Sequence, residues 1–340
     1  MTSVTIVSDI SHETGWIPVL HMVNMLRQFT DAAFHDVSSV DYNKLQKFIA
    51  VNKKRVRSSS DEDCVICVAA SAHSAKKLVH HMKQFRGFSR SYIWIIDSFW
   101  TDAASENKDV LDKYFDHIIY TQSFDATFYR GLFGERAFCL PWGSDVLDLG
   151  SASSERKYDL LRMGRQPPEW DDDDHTRQRC EQRGLRFSGR PPLRRFSEQA
   201  ASDLMRDSYA ASKFILAHSN IAAPAPYTHP TKAYITARWT DALACGAAIA
   251  GVPPEEDIGL LDWPEALLRF PDIGLESGLD ILADAVGRWT PEIARRNHLE
   301  ALKALDWRWR FTTLADHMGL GFPALDQEVD RLEVRIKALS

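Results

Sequence analysis

Tyr234-Ile-Thr-Ala-Arg238-Trp-Thr-Asp241-Ala-Leu-Ala-Cys-Gly246-Ala-Ala-Ile-Ala-Gly251 reads as a helix ended by glycine and followed by a short buried strand. Arg238 and Asp241 stand three apart and so share one helix face. Gly246 falls where a helix C-terminus favours a left-handed residue, and 247–252 is apolar enough for an interior parallel strand. A helix that starts with an arginine and an acid and feeds an inner strand suits a ligand with phosphate and ribose. The guanidinium forks onto phosphate oxygens and the carboxylate accepts from sugar hydroxyls. Thr236 sits at the helix start, where its hydroxyl and the first N–H groups can face a phosphate, and Tyr234 precedes it.

Strand and helix patterns alternate on both sides of this stretch. Strands are expected at 4–8, 64–70, 92–96, 116–121 and 137–140, with helices at 16–29, 71–85 and 125–131 between them. The helix at 71–85 carries Lys76, Lys77, His80 and Lys83 on a polar face. Periodicity is lost over 141–156, a stretch rich in Gly and Ser that reads as an interdomain linker. The rhythm restarts with strands at 158–163, 185–188, 214–218, 247–252 and 267–270. Helices at 172–183, 198–211, 236–245 and 279–305 separate or follow them, and the tail 306–340 is helical in pattern. This predicts an α/β protein with two Rossmann-like, doubly wound parallel layers facing each other across a cleft. Ligands in such layers sit at the carboxyl ends of strands. Ser219, after the strand at 214–218, is therefore a candidate for the base pocket.

At 340 residues the chain accommodates two domains of ordinary size. Hydrophobic content of 44% and charged content of 26% fit a soluble globular protein. A net charge of -6, with no aromatic–basic interleaving, argues against nucleic acid as a partner. No apolar run approaches the roughly 20 residues of a membrane span. The opening residues run into a strand without a basic leader, and five irregularly spaced cysteines suit a reducing compartment, so the expected location is the cytoplasm. Cys64-Val-Ile-Cys67 lies in an apolar strand without a second ligand pair, so it reads as buried packing.

The run Asp241-Ala-Leu-Ala-Cys-Gly246 resembles the acid-Ala-x-Ala-x-Gly run of group 1 glycosyltransferases with two Rossmann-like domains, the GT-B fold. Leu140-Pro-Trp-Gly-Ser-Asp145 is similar to the crossover that ends the acceptor domain in that family. Asp159-Leu-Leu-Arg-Met-Gly-Arg165 is similar to the first donor-domain strand and its Gly-Arg turn. The resemblance implies an acceptor domain over 1–150, a nucleotide-sugar donor domain over 151–318, and a last helix, 319–340, returning to the first domain. It implies metal-independent transfer of a sugar from a nucleotide-diphosphate sugar to a hydroxyl of a glycan, lipid-linked or small-molecule acceptor, with no cofactor beyond that co-substrate. Asp241 would hold the ribose, and Arg165 and Arg238 the diphosphate. Many retaining members carry a second acid eight residues before the first; here Ala233 stands there, which leaves the stereochemical course open.

Other candidates carry structural alternatives. Arg162 and Gly164 flank the same strand end as Arg165, and Arg162 can equally point away along the strand. In the loop 9–15, Thr14 and Gly15 can meet phosphate oxygens. Asp9 and His12 in that loop, or Asp97 at the end of the strand at 92–96, can deprotonate an acceptor hydroxyl. Each is also an ordinary loop-fastening group. Asp171 to Asp174 suggests a metal-binding pair but fits a helix start better, so no metal site is expected. Arg177, Arg179, Arg183, Arg186, Arg190, Arg194 and Arg195 form a basic run, either a solvated face or a peripheral contact with anionic lipid at the inner face of a membrane. The rival functions are a catalytically inactive scaffold, a sugar-nucleotide epimerase, or a phosphorylase using Lys213 or Lys232.

Overall fold

The computed structural model describes residues 3–43, 45–46, 63–82 and 88–340. Two compact units divide the chain: Met1–Pro141 with Arg310–Gln327, and Trp142–Trp309 with Glu328–Ser340.

The first unit is built on six strands, β1 (Ser3–Ser8), β2 (Ala33–Asp36), β3 (Asp63–Ala69), β4 (Arg90–Ile95), β5 (His117–Tyr120) and β6 (Ala137–Cys139). They run parallel in the order β2-β1-β3-β4-β5-β6. Helices α1 (Ile17–Thr30), α2 (Ala75–Met82), α3 (Thr101–Glu106), α4 (Lys108–Tyr114) and α5 (Ala126–Phe133) connect them. Inner strands β3 and β4 are buried on both faces, which is why Cys64-Val-Ile-Cys-Val-Ala69 shows no alternation. Both cysteines of that run are free and buried. Edge strand β2 escapes sequence reading because it is short and only partly covered. The helix expected at 71–85 appears as α2, preceded by a 3-10 turn, and Lys83 and Phe85 lie outside the described residues.

The second unit has a five-stranded parallel sheet, β11-β10-β9-β7-β8. Its elements are α6 (Val146–Leu149), β7 (Tyr158–Arg162), α7 (Asp173–Glu181), β8 (Phe187–Ser188), α8 (Glu198–Ala210), β9 (Ser212–Leu216), α9 (Ala237–Ala244), β10 (Ala248–Gly251), β11 (Leu267–Arg269), α10 (Leu275–Arg288) and α11 (Pro291–Ala304). The chain ends with α12 (Trp307–Met318) and α13 (Pro323–Leu339), and the division between units falls inside both. The single helix expected over 279–305 is two helices, because Pro291 occupies the first turn of α11 and cannot continue α10.

Gly246, at φ +75°, ends α9 as read from the sequence. Its N–H donates to Leu243 and that of Ala247 to Ala242, the two bonds of a Schellman cap. Arg156 is buried and donates to the carbonyl oxygens of Tyr209, Ala210, Ser212 and Cys245, so one guanidinium serves the ends of both α8 and α9. Arg308, fully buried, binds Asp145 at 2.8 Å, Asp306 at 3.1 Å and Glu328 at 2.8 Å, and also contacts Asp148.

In the first unit the segment 310–318 is fixed to α1 and to the sheet by aromatic contacts. Phe311 meets Phe29 edge-on at 6.0 Å and His317 stacks on Phe138 at 3.8 Å. Arg90 caps the end of α12 by donating to the Met318 carbonyl.

Candidate functional site

Each sheet reverses its winding once, and each reversal opens a crevice at the carboxyl ends of two strands. In the second unit the chain steps from β7 outward to β8 and then to β9 on the other side of β7. In the first unit it steps from β1 to β2 and then to β3 on the other side of β1. Several of the residues singled out from sequence lie at or beside these two places.

In the second unit, β7 leads into the turn Gly164-Arg165. Gly164 has φ +72°, and a Cβ there would stand 2.8 Å from Nη2 of Arg238. Glycine is thus required both by the backbone and by the approach of the arginine. Arg238, in the first turn of α9, donates through Nη1 to the Arg165 carbonyl at 3.0 Å. Arg190 donates to the Gly164 carbonyl, with Nη2 at 2.8 Å. The Arg165 guanidinium lies over the Tyr227 ring at 5.2 Å, and its buried Nε has no hydrogen-bond partner. Burial, with Arg165 and Arg190 nearby, lowers the Arg238 guanidinium from its ordinary pKa. Among the described residues neither Arg165 nor Arg238 has a carboxylate partner. The turn thus presents concentrated, uncompensated positive charge, suited to an anion.

The surroundings hold this turn in place. Gln166 donates through Nε2 to the Leu216 carbonyl at 2.9 Å, tying the turn to β9. Arg162 is buried and donates to the Asp171 carbonyl at 2.7 Å and to Asp173 at 2.8 Å. It is committed to fastening the acidic segment and is not presented with Arg165. Asp172 caps α7, as the reading of 171–174 as a helix start requires. His218 accepts the Val252 N–H at Nδ1, 3.2 Å, which places its proton on Nε2. Burial drops its pKa to about 4, so the ring is neutral.

Asp241 accepts from the Ser144 hydroxyl at 2.7 Å. Thr236 caps α9 by backbone position alone; its hydroxyl is not spent on the helix. Tyr234 is buried beside it. Ser219, also buried, donates its N–H to Val252 at 2.8 Å and accepts the Ala222 N–H at Oγ, in the loop after β9. Lys213 pairs with Asp159 at 2.8 Å, at the amino ends of the strands and opposite the crevice.

Two acids lie at the carboxyl ends of first-unit strands. Asp9 follows β1, and its Oδ1 accepts the Ala70 N–H at 3.0 Å. Asp97 follows β4, and its N–H donates to the Ala70 carbonyl at 2.9 Å. Ala70, at the end of β3, therefore lies between the two, whose strands β1 and β4 flank β3. Burial raises Asp9, against the opposing pull of Ser74, Ala70 and Lys77. Burial pushes Asp97 up to about 7, and among the described residues its carboxylate has no hydrogen bond or ion pair. His12 is exposed and pairs with Asp36 at 2.7 Å, one strand further out. Thr14 and Gly15 form the 3-10 turn into α1, and a Cβ on Gly15 would meet nothing within 4 Å.

Sequence reading missed Ser144, Tyr227 and the site contact of Arg190. A signal for Arg190 exists: Ser188-Gly189-Arg190 repeats after β8 the Gly-Arg step that follows β7. Much of the basic run is compensated. Arg177 pairs with Asp174, Arg179 with Glu276, Arg183 with Glu276 and Asp280, and Arg186 with Asp159. The run is therefore not a uniformly basic patch of the kind an anionic lipid surface attracts. Among the described residues no helix is long and apolar enough to cross a membrane, and no group of three or more His, Cys, Asp or Glu stands ready to hold a metal ion.

No family model matches the chain. No curated protein matches it. Solved structures do. Anabaena HepE, crystallised in complex with UDP and glucose, superposes with a TM-score of 0.57 over 94% of this chain and 100% of its own, at 10% identity. Sucrose-phosphate synthase from Thermosynechococcus elongatus gives 0.55 over 92% and 98%, at 9% identity. The two parallel α/β sheets are those of the GT-B fold.

Proposed function

We propose that this chain is a glycosyltransferase that moves a sugar from a nucleoside-diphosphate sugar to an acceptor hydroxyl without a metal ion. The observation that carries the reading is the uncompensated pair Arg165 and Arg238 at the β7–β9 winding reversal, set against an acidic chain whose neighbouring arginines are mostly ion-paired. Guanidinium groups there take over charge stabilisation that a cation would otherwise supply to a leaving diphosphate. Asp241 and the Thr236 hydroxyl are assigned to the nucleotide's ribose and phosphate. HepE has also been crystallised with UDP-glucose, which makes uridine donors the first to test.

Asp97 is assigned as the proton acceptor. As the acceptor oxygen attacks the anomeric carbon, its proton passes to the Asp97 carboxylate. The bond from that carbon to the diphosphate breaks, and its electron pair leaves with the phosphate oxygen. A pKa raised to about 7 by burial suits a base at neutral pH. Ala233, buried, provides no carboxylate on the donor side; together with the unpaired Asp97 this favours a single inverting displacement. The acceptor is a hydroxyl of a glycan, a lipid-linked saccharide or a small molecule.

The test is release of UDP from UDP-glucose with EDTA present, across a panel of hydroxyl acceptors. Turnover that disappears in Asp97→Asn while UDP still binds supports the reading. Turnover unchanged in Asp97→Asn would remove the base assignment.

A further inference from the structure

Residues 217–236 join β9 to α9, and several of their polar groups brace the loop internally. Asn220 donates through Nδ2 to the carbonyls of His229 at 2.9 Å and Lys232 at 2.8 Å. His229 Nδ1 accepts the N–H groups of Thr231 and Lys232. Within the loop, Ala225-Pro226-Tyr227-Thr228 forms a turn closed by the Thr228 N–H on the Ala225 carbonyl at 2.9 Å. The Ala225 N–H reaches back to Thr228 Oγ1 at 3.0 Å. Proline occupies the second position of this turn, where its fixed φ fits. Pro224, Pro226 and Pro230 restrict the loop further.

This rigid turn displays one large ring. Tyr227 is 71% exposed, more than any other described large hydrophobic side chain. A ring held this way keeps apolar area in water, and its contact with Arg165 at 5.2 Å occupies one face only. Stacking uses the flat face of a guanidinium, while its N–H groups point outward in the plane. Arg165 can therefore carry Tyr227 on its face and phosphate oxygens on its edge at the same time.

We infer that Tyr227 is the stacking residue for the planar base of a nucleoside diphosphate whose phosphates lie on Arg165 and Arg238. The inference rests on the donor reading above and adds to it the group that recognises the base. Arg165 then joins both parts of the ligand, its edge on the diphosphate and its face on the tyrosine that the base covers. An aromatic platform of this kind is tolerant of base identity, because every base offers a π-face.

The experiment measures calorimetric binding of UDP and of inorganic pyrophosphate to the full chain and to Tyr227→Ala and Tyr227→Phe. Tyr227→Ala is expected to weaken UDP by roughly 10- to 100-fold, the range of a lost stacking contact. It should leave pyrophosphate within about twofold, since the phosphate-binding arginines stay in place. Tyr227→Phe should restore UDP binding, because the ring and not the hydroxyl carries the contact. Equal losses for both ligands would overturn the inference and make Tyr227 a support for Arg165. A gain for both would make it a cover that ligands displace, and no change would leave it without a role in binding. If the unaltered chain binds neither ligand, the diphosphate assignment itself fails, a result distinct from any seen only in the variants.

Discussion

Arg238 donates to the carbonyl oxygen of Arg165 at 3.0 Å, so one arginine of the anion site is positioned by the backbone that carries the other. The contact exists because Gly164 leaves room for it. Charge, turn and winding reversal thus converge on one stretch of chain.

Gly164→Ala removes that room. A methyl group there meets Nη2 of Arg238 at 2.8 Å on a backbone at φ +72°. The left-handed conformation costs an L-residue roughly 1–2 kcal/mol, and displacing the arginine should weaken nucleotide binding as well. Urea denaturation and UDP titration of the same variant should both register the loss.

Arg165→Ala and Arg238→Ala should each reduce UDP affinity by about 10- to 100-fold, as expected for one charge-assisted contact. Arg238→Lys should not restore it, since an ammonium cannot bond the Arg165 carbonyl and fork onto phosphate together. The melting temperature of Arg238→Ala should fall little, because the variant also relieves a buried charge held near Arg165 and Arg190. Titration calorimetry beside thermal denaturation separates the two effects.

Asp97 makes stability depend on pH in a defined direction. Its folded pKa, raised from 3.8 to about 7, exceeds the unfolded value, so the native state holds the proton more tightly. Its share of stability is fully present below pH 4 and is lost as pH rises through 7. Asp97→Asn should therefore be more stable than the parent by about 2–4 kcal/mol at pH 8, with the gap closing near pH 4. Melting curves from pH 4 to 8 read this directly, and a gap that widens toward acid would contradict it.

Arg308 faces Asp145, Asp148, Asp306 and Glu328 from a fully buried position. Arg308→Met would strand these acids against one another, and the cost of breaking such a buried network is about 3–5 kcal/mol. The expected outcome is a large fall in melting temperature, with UDP binding intact in whatever fraction stays folded.

The regular alternation of apolar runs made both sheets legible, and Gly246 marked its helix end because only a left-handed cap fits there. Asp9, Asp97 and Arg165 could be placed after strands because periodicity marks strand ends, and Arg238 in the first turn of its helix because Gly246 marks that helix's other end. Partner choice could not be read the same way. Arg162 and Arg165 stand three apart in sequence, yet one is held by Asp171 and Asp173 and the other has no carboxylate partner among the described residues, because the left-handed turn at Gly164 separates the last residue of β7 from Arg165. His12 was diverted by Asp36, whose strand β2 has too little apolar pattern to be expected. Tyr227 carried no signal beyond three prolines. Pro291, by contrast, was visible in the sequence and should have divided the helix read over 279–305.

The most direct test of the donor site is the melting temperature of the unaltered chain with UDP, GDP, TDP, ADP or CMP at millimolar concentration, without added metal. A ligand that binds only the native state must raise it, by an amount equivalent to about 2.7 kcal/mol at a hundred times its dissociation constant. A clear rise is expected with at least one nucleoside diphosphate, lost in Arg165→Ala and Arg238→Ala. No rise with any of them, under conditions where the chain is folded, would contradict the donor site.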